Sequence, residues 1–220
     1  MFTKMLGACL TAISLTAGLL LSGCTPHISA AEAQQYFRPV AELTLPEGVT
    51  LVGLGEATHG NAEFGRLRLE VLQTLVERYG LRSMALEGDF GGCQVVNDYI
   101  LTGAGSAEEA VRQIGFAIYR TQEMVDLVEW MRAYNLQAAP GQQIHFYGFD
   151  MQRYDNNIRG LLAYIHQVDP ERVEQYRAAL ADLNDATVFD QSQDKVAAGL
   201  AAIQTIRAEM AQAQARYVAA

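Results

Sequence analysis

Three acidic residues stand where apolar stretches run out. Glu56 follows Val49-Thr-Leu-Val-Gly-Leu-Gly55, Glu87 follows Ser83-Met-Ala-Leu86, and Asp150 follows Ile144-His-Phe-Tyr-Gly-Phe149. His59 comes three residues after Glu56, in a loop whose flanking glycines, Gly55 and Gly60, permit a tight backbone. A carboxylate bonded to one imidazole nitrogen fixes the tautomer and leaves the other nitrogen free to take a proton from water, which is general-base chemistry. Arg68 falls among Phe64, Leu67, Val71, Leu72, Leu75 and Tyr79, which share one face at helical spacing. A guanidinium there needs a carboxylate, with Glu56 and Glu87 the natural partners, or must carry its charge to water along its stem. The same group permits a second chemistry. Glu56, His59, Glu87 and Asp150 offer one nitrogen and several oxygens, a set able to hold a divalent cation such as Mn²⁺, Fe²⁺ or Zn²⁺. The spacing E-x-x-H is not a zinc-protease helix pattern, however, and an arginine in the cluster opposes a cation.

The elements that must gather these residues follow from hydrophobic patterning. Segments 49–55, 83–86 and 144–149 read as short strands buried on both faces. Segments 61–79, 92–102, 106–113 and 120–137 read as helices between them. Strand, helix, strand at this spacing implies a parallel sheet covered by helices, whose strands all end at one edge, where open α/β sheets bind ligands. A single acid after a strand is an ordinary cap or turn residue; three in three strands read as a site. On segment 120–137, Met124, Leu127, Val128 and Met131 form the stripe to be buried, with Asn135 on the same face and Glu123 near its start. Asn135 either reaches the site or is a satisfied buried amide, and Glu123 joins it as a supporting candidate. His145 reads as a sheet-face or core residue and His166 as a helix-flank residue. Beyond Asp150 no segment reads as a strand: 154–168, 170–184 and 190–220 are helical in composition. The expected class is α/β: a three-layer α/β/α arrangement with an incomplete parallel sheet, followed by a helical C-terminal segment.

Composition narrows the function. The 220 residues are 50% hydrophobic with a formal charge of −9, from 16 basic and 25 acidic residues. Apolar content this high excludes disorder as the dominant state. The only lysines are Lys4 and Lys195 and no basic cluster occurs, so nucleic acid is not an expected partner. The three cysteines (Cys9, Cys24, Cys93) cannot make a disulfide framework. No G-x-S-x-G occurs, which disfavours a serine nucleophile.

The first residues read as an address. Lys4 supplies a positive start and Leu6 to Leu21 an uncharged, mostly apolar run, the pattern of a secretory signal. Leu21-Ser22-Gly23-Cys24 resembles the lipobox of bacterial lipoproteins. That resemblance implies a signal peptide over 1–23, acylation (palmitate included) at Cys24, and a tether completing 24–40 ahead of a domain over 41–220. It places the protein in the bacterial envelope, held to the membrane by a lipid anchor. Thr25 resembles the outer-membrane sorting residue of Gram-negative lipoproteins, which face the periplasm. Cys93 is then the one free thiol.

Four stretches together resemble one family. Leu54-Gly-Glu-Ala-Thr-His-Gly-Asn-Ala-Glu-Phe64, Ala85-Leu-Glu-Gly-Asp89, Tyr119-Arg-Thr-Gln-Glu-Met124 running on to Trp130-Met-Arg132, and Phe146-Tyr-Gly-Phe-Asp-Met151 resemble the motifs of the erythromycin esterase family, in its order. Four linked motifs are far more specific than one short pattern. The resemblance implies an α/β/α fold and hydrolysis of a macrolide lactone ester by histidine-activated water. By motif position it makes His59 the base, Glu56 its supporting acid, Arg68 the arginine of the next helix and Glu87 the second-strand acid. Some family members are associated with succinoglycan biosynthesis, so membership does not fix the substrate. Family members are longer, and the expectation is that these residues are the N-terminal part of such a domain.

The leading reading is therefore a hydrolase of a carboxylic ester or lactone, macrolide-like or other and linked to antibiotic resistance, acting on a small molecule without a cofactor. The alternatives are a metal-dependent hydrolase or metal-binding protein using Glu56, His59, Glu87 and Asp150, and a non-catalytic envelope lipoprotein.

Overall fold

The structure is a computed structural model that describes residues 29–187 and 190–218; the segment read from sequence as a signal peptide and Cys24 lie outside the described residues. The chain divides into two units between Glu47 and Gly48. In the first, Ser29 and Glu32 form a reciprocal capping box at the start of α1 (Ala30–Gln34), and a 3₁₀ turn follows at Val40–Glu42. No helix among the described residues is long and apolar enough to cross a membrane.

The second unit begins with an irregular segment and then α2 (Ala62–Tyr79), which ends at Gly80 in the left-handed conformation (φ +73°). β1 (Ser83–Asp89) leads into α3 (Phe90–Thr102), α4 (Ala107–Gln113) and α5 (Gln122–Gln137), and β2 (His145–Asp150) returns beside β1. β1 and β2 are parallel, with Ser83 opposite His145, Leu86 opposite Gly148 and, past an irregularity, Asp89 opposite Asp150. The helices α3 to α5 form the crossover that parallel strands require. Glycine makes the close approaches possible. A Cβ on Gly148 would lie 2.5 Å from the Gly88 carbonyl oxygen, and one on Gly92 would lie 1.7 Å from that of Gln113.

One face of the sheet carries Met84, Leu86 and Phe146 into a core with Leu72 and Val76 of α2, Cys93, Val96 and Ile100 of α3, and Leu127, Val128 and Met131 of α5. Asn135 closes this core at the amino end of β2. Its amide donates to the carbonyls of Ile100 (3.2 Å) and Ile144 (2.8 Å) and accepts from the Ile144 N–H (2.7 Å). The α/β class, with its incomplete parallel sheet and helical C-terminal segment, is what the sequence led one to expect. Two details differ. Residues 49–55 form no strand: Leu51 is 87% exposed, and among the described residues no neighbouring strand supplies a ladder for this stretch. The strands are also buried on one face only. Ser83, Ala85 and Glu87 of β1 and Tyr147 and Phe149 of β2 are exposed on the other.

The C-terminal segment comprises α6 (Asp155–Val168), α7 (Val173–Ala179), α8 (Gln193–Gln212) and α9 (Gln214–Val218). It has its own core of Leu162, Ile165, Tyr176, Leu180, Leu183, Ile206 and Tyr217. Polar contacts fasten it to the end of β1, to the end of α4 and to the loop after it. Asn157 donates to the buried Asp89 carboxylate (2.7 Å), and Arg153 donates to the Gly115 carbonyl (2.8 Å).

Candidate functional site

The loop before α2 and the first two turns of α2 hold the charged pair. Gly60 turns the chain with φ +74°, between His59 and Asn61 at the helix start. Arg68 then falls on the buried stripe of α2, but that stripe is rotated from the expected one. Leu72, Leu75 and Val76 are buried whereas Leu67 and Tyr79 are 41% and 39% exposed, and α2 approaches α5 closely at Gly65. A Cβ on Gly65 would meet the Glu123 Cβ at 2.6 Å, so glycine sets the closeness of these helices one turn before Arg68.

Arg68 takes Glu56, not Glu87, as its partner. Its Nη2 donates to Glu56 Oε2 at 2.9 Å, and the two side chains are 14% and 22% exposed. The same carboxylate oxygen lies 3.8 Å from His59 Nδ1, while the His59 side chain is 53% exposed. Glu56 thus faces both groups with one oxygen. Nδ1 points toward the carboxylate, which leaves Nε2 as the nitrogen able to accept a proton. The contact is longer than a hydrogen bond, and such contacts in ligand-free sites commonly tighten when substrate binds.

The remaining acids are not drawn into this pair. Glu87, on the open sheet face, makes no hydrogen bond or ion pair among the described residues, so Glu56, His59, Arg68 and Glu87 do not form one hydrogen-bonded cluster. Asp150 accepts from the Gln152 N–H and from Gln152 Nε2, each at 2.8 Å, and so is bound up in its own turn. Among the described residues no three His, Cys, Asp or Glu side chains are grouped as a metal ion would need. Glu123 accepts from Arg66 at 3.5 Å at the start of α5, beside α2. Asn135 lies at the opposite end of the sheet, so it supports the core rather than the site.

The structure adds a member that sequence reasoning passed over. Tyr119 is 4% exposed and lies under the Arg68 guanidinium, 5.9 Å from ring centroid to Cζ. Burial, and then the Glu56 carboxylate, push its phenol above the usual tyrosine value; Arg68 opposes the shift and Glu87 adds to it. Its loop is well held. The Asp89 N–H donates to the Ile114 carbonyl (2.8 Å), Arg153 holds Gly115, and Thr121 caps α5 through the Met124 N–H (3.3 Å). The available signal was its place at the head of Tyr119-Arg-Thr-Gln-Glu-Met124, but an aromatic residue just before a helix cap reads as core. Behind it Cys93 is buried, and burial pushes its thiol up to about 12, so it is no nucleophile at neutral pH.

Comparison with known proteins places the chain. The Erythromycin esterase family profile matches residues 76–220. A Bacillus subtilis (strain 168) protein named "Putative hydrolase YbfO" is 24% identical over 158 residues, which is 68% of this chain and 34% of that protein. Erythromycin esterase type II of Escherichia coli is 30% identical over 116 residues, 53% of this chain and 27% of that one. The chain thus spans about a third or less of the length of these curated relatives. The crystal structure of a succinoglycan biosynthesis protein superposes with a TM-score of 0.64 at 22% identity, over 75% of this chain and 42% of that one, a likeness of fold. With the family profile covering most of its length, this chain belongs to the erythromycin esterase family.

Proposed function

We propose that the chain carries the water-activating part of a carboxylic-ester or lactone hydrolase, with His59 as general base. The observation behind this reading is the Glu56 carboxylate, which faces Arg68 at 2.9 Å and His59 Nδ1 at 3.8 Å through one oxygen. Membership of a family with hydrolases among its relatives adds to it. In the proposed step, water adds to the ester carbonyl carbon and loses a proton to His59 Nε2. The tetrahedral intermediate then breaks its C–O bond, and the alkoxide leaves with the proton from Nε2. Glu56 orients the ring and steadies the imidazolium, while Arg68 holds Glu56 and offers positive charge near the developing oxyanion. No metal has a part in this step.

The test is hydrolysis of an aryl ester and of a macrocyclic lactone by purified protein, with metal content measured on the same sample. His59→Ala should lower kcat by about 10²-fold or more with the circular-dichroism spectrum unchanged. Near-wild-type turnover by that variant would reject the base, and turnover that tracks bound metal would favour the metal-dependent alternative. The lipobox-like Leu21–Cys24 supports a further part of the proposal, a membrane-anchored protein in the cell envelope. Cys24→Ala should abolish lipid labelling, and unchanged membrane retention of that variant would reject the anchor.

A further inference from the structure

The hydroxyl of the buried Tyr119 is a polar group at this site with no assigned work. The residue is 4% exposed, and its hydroxyl has no hydrogen-bond partner among the described residues. Among those residues no fully buried side-chain oxygen or nitrogen lacks a partner, so this hydroxyl oxygen must reach solvent. A buried tyrosine whose unpartnered hydroxyl oxygen still reaches solvent is a donor waiting for an acceptor. Its setting says what kind. The ring lies under Arg68, and the phenol feels the charges of Glu56 and Glu87 as well as that of Arg68. The three contacts that hold residues 114–121 fix the tip in advance of any ligand, as electrostatic stabilisation of a transition state requires.

We propose that Tyr119 is a further catalytic residue, donating its O–H to the oxyanion of the tetrahedral ester intermediate beside Arg68; this rests on the hydrolase reading above. Tyr119 keeps its proton throughout, since the only proton in transit moves from water to His59 Nε2 and on to the leaving alkoxide. A phenol raised above its ordinary value by burial suits that role, because it stays a neutral donor at working pH.

The experiment uses phenyl methylphosphonate, a tetrahedral anion shaped like the intermediate, titrated against the full chain by calorimetry and by NMR of the tyrosine Cζ carbons. Wild-type protein and His59→Ala should both bind it, with a shift at the Tyr119 Cζ. Tyr119→Phe keeps the ring under Arg68 and should keep the melting temperature, yet bind at least 10-fold more weakly and, where turnover is measurable, lose about 10²-fold in kcat with KM little changed. Equal phosphonate affinity in wild type and Tyr119→Phe, or no binding to wild type, would overturn the proposal. Tyr119-dependent phosphonate binding in a protein that hydrolyses no ester would uphold the oxyanion donor and defeat the hydrolase reading alone.

Discussion

Arg68 Nη2 and Glu56 Oε2 lie 2.9 Å apart, and this ion pair joins the second turn of a helix to an otherwise irregular stretch. Among the described residues none offers 49–55 a ladder, so the loop that carries His59 is fixed from the α2 side. The pair is mostly but not wholly shielded from water, which makes it stronger than a surface bridge and cheaper to desolvate than a buried one. Arg68→Ala and Glu56→Gln should each cost about 1–2 kcal/mol, and the double variant should lose less than their sum. Urea unfolding of the three variants measures this; strict additivity would show that the pair does not couple.

Gly65 sets how closely α2 approaches α5. A Cβ there would stand 2.6 Å from the Glu123 Cβ, an atom fixed to the backbone and unable to swing aside. Gly65→Ala should therefore destabilise by about 1–3 kcal/mol as the helices part. It should also weaken the Arg68–Glu56 pair one turn away, seen as a changed Arg68 side-chain NMR signal. An unchanged melting temperature would contradict the close approach.

Cys93 should be chemically silent in the folded protein. With burial holding its thiol at about 12, roughly one part in 10⁴ is thiolate at pH 8. Iodoacetamide should label it only after unfolding, at a rate that rises with denaturant. Rapid labelling of native protein would show that α3 opens readily.

Asp169 gives the C-terminal helices an acid sensitivity. Burial would raise its pKa, but hydrogen bonds from Tyr217 (3.0 Å) and Arg216 (2.7 Å) outweigh that and lower it below the usual carboxylate value. A lowered folded-state value means stability present above the unfolded pKa, about 3.9, and lost as pH falls through the folded one. Hydrogen-exchange protection factors of α9, which are corrected for the intrinsic exchange rate, should fall on acidification below about pH 4. In Asp169→Asn, protection should be low at neutral pH and nearly flat across that range; an acid response equal to wild type would place the sensitive group elsewhere.

The local features were legible in the sequence because they are local. Helical period placed α2, α3, α4 and α5, and the acid-ended apolar runs placed β1 and β2 within a few residues. A charge on an apolar helix face demanded a carboxylate, and Glu56 supplied it. Three of the four motif stretches lie within the residues 76–220 that the family profile matches. Tertiary structure decided what depends on neighbours. Whether 49–55 becomes a strand rests on a partner for its backbone, and its apolar composition could not reveal that no strand among the described residues supplies one. That Arg68 pairs with Glu56 and not Glu87 is decided in three dimensions, as is the close approach of α2 to α5 at Gly65 and Glu123, 58 residues apart, which no periodicity encodes. Asn135 and Glu123 share a helix, yet the sheet sends them to opposite ends of the core. Tyr119 became part of the site only when residues 114–121 were bound to the end of β1. A lone aromatic side chain carries no mark of the charges that will surround it.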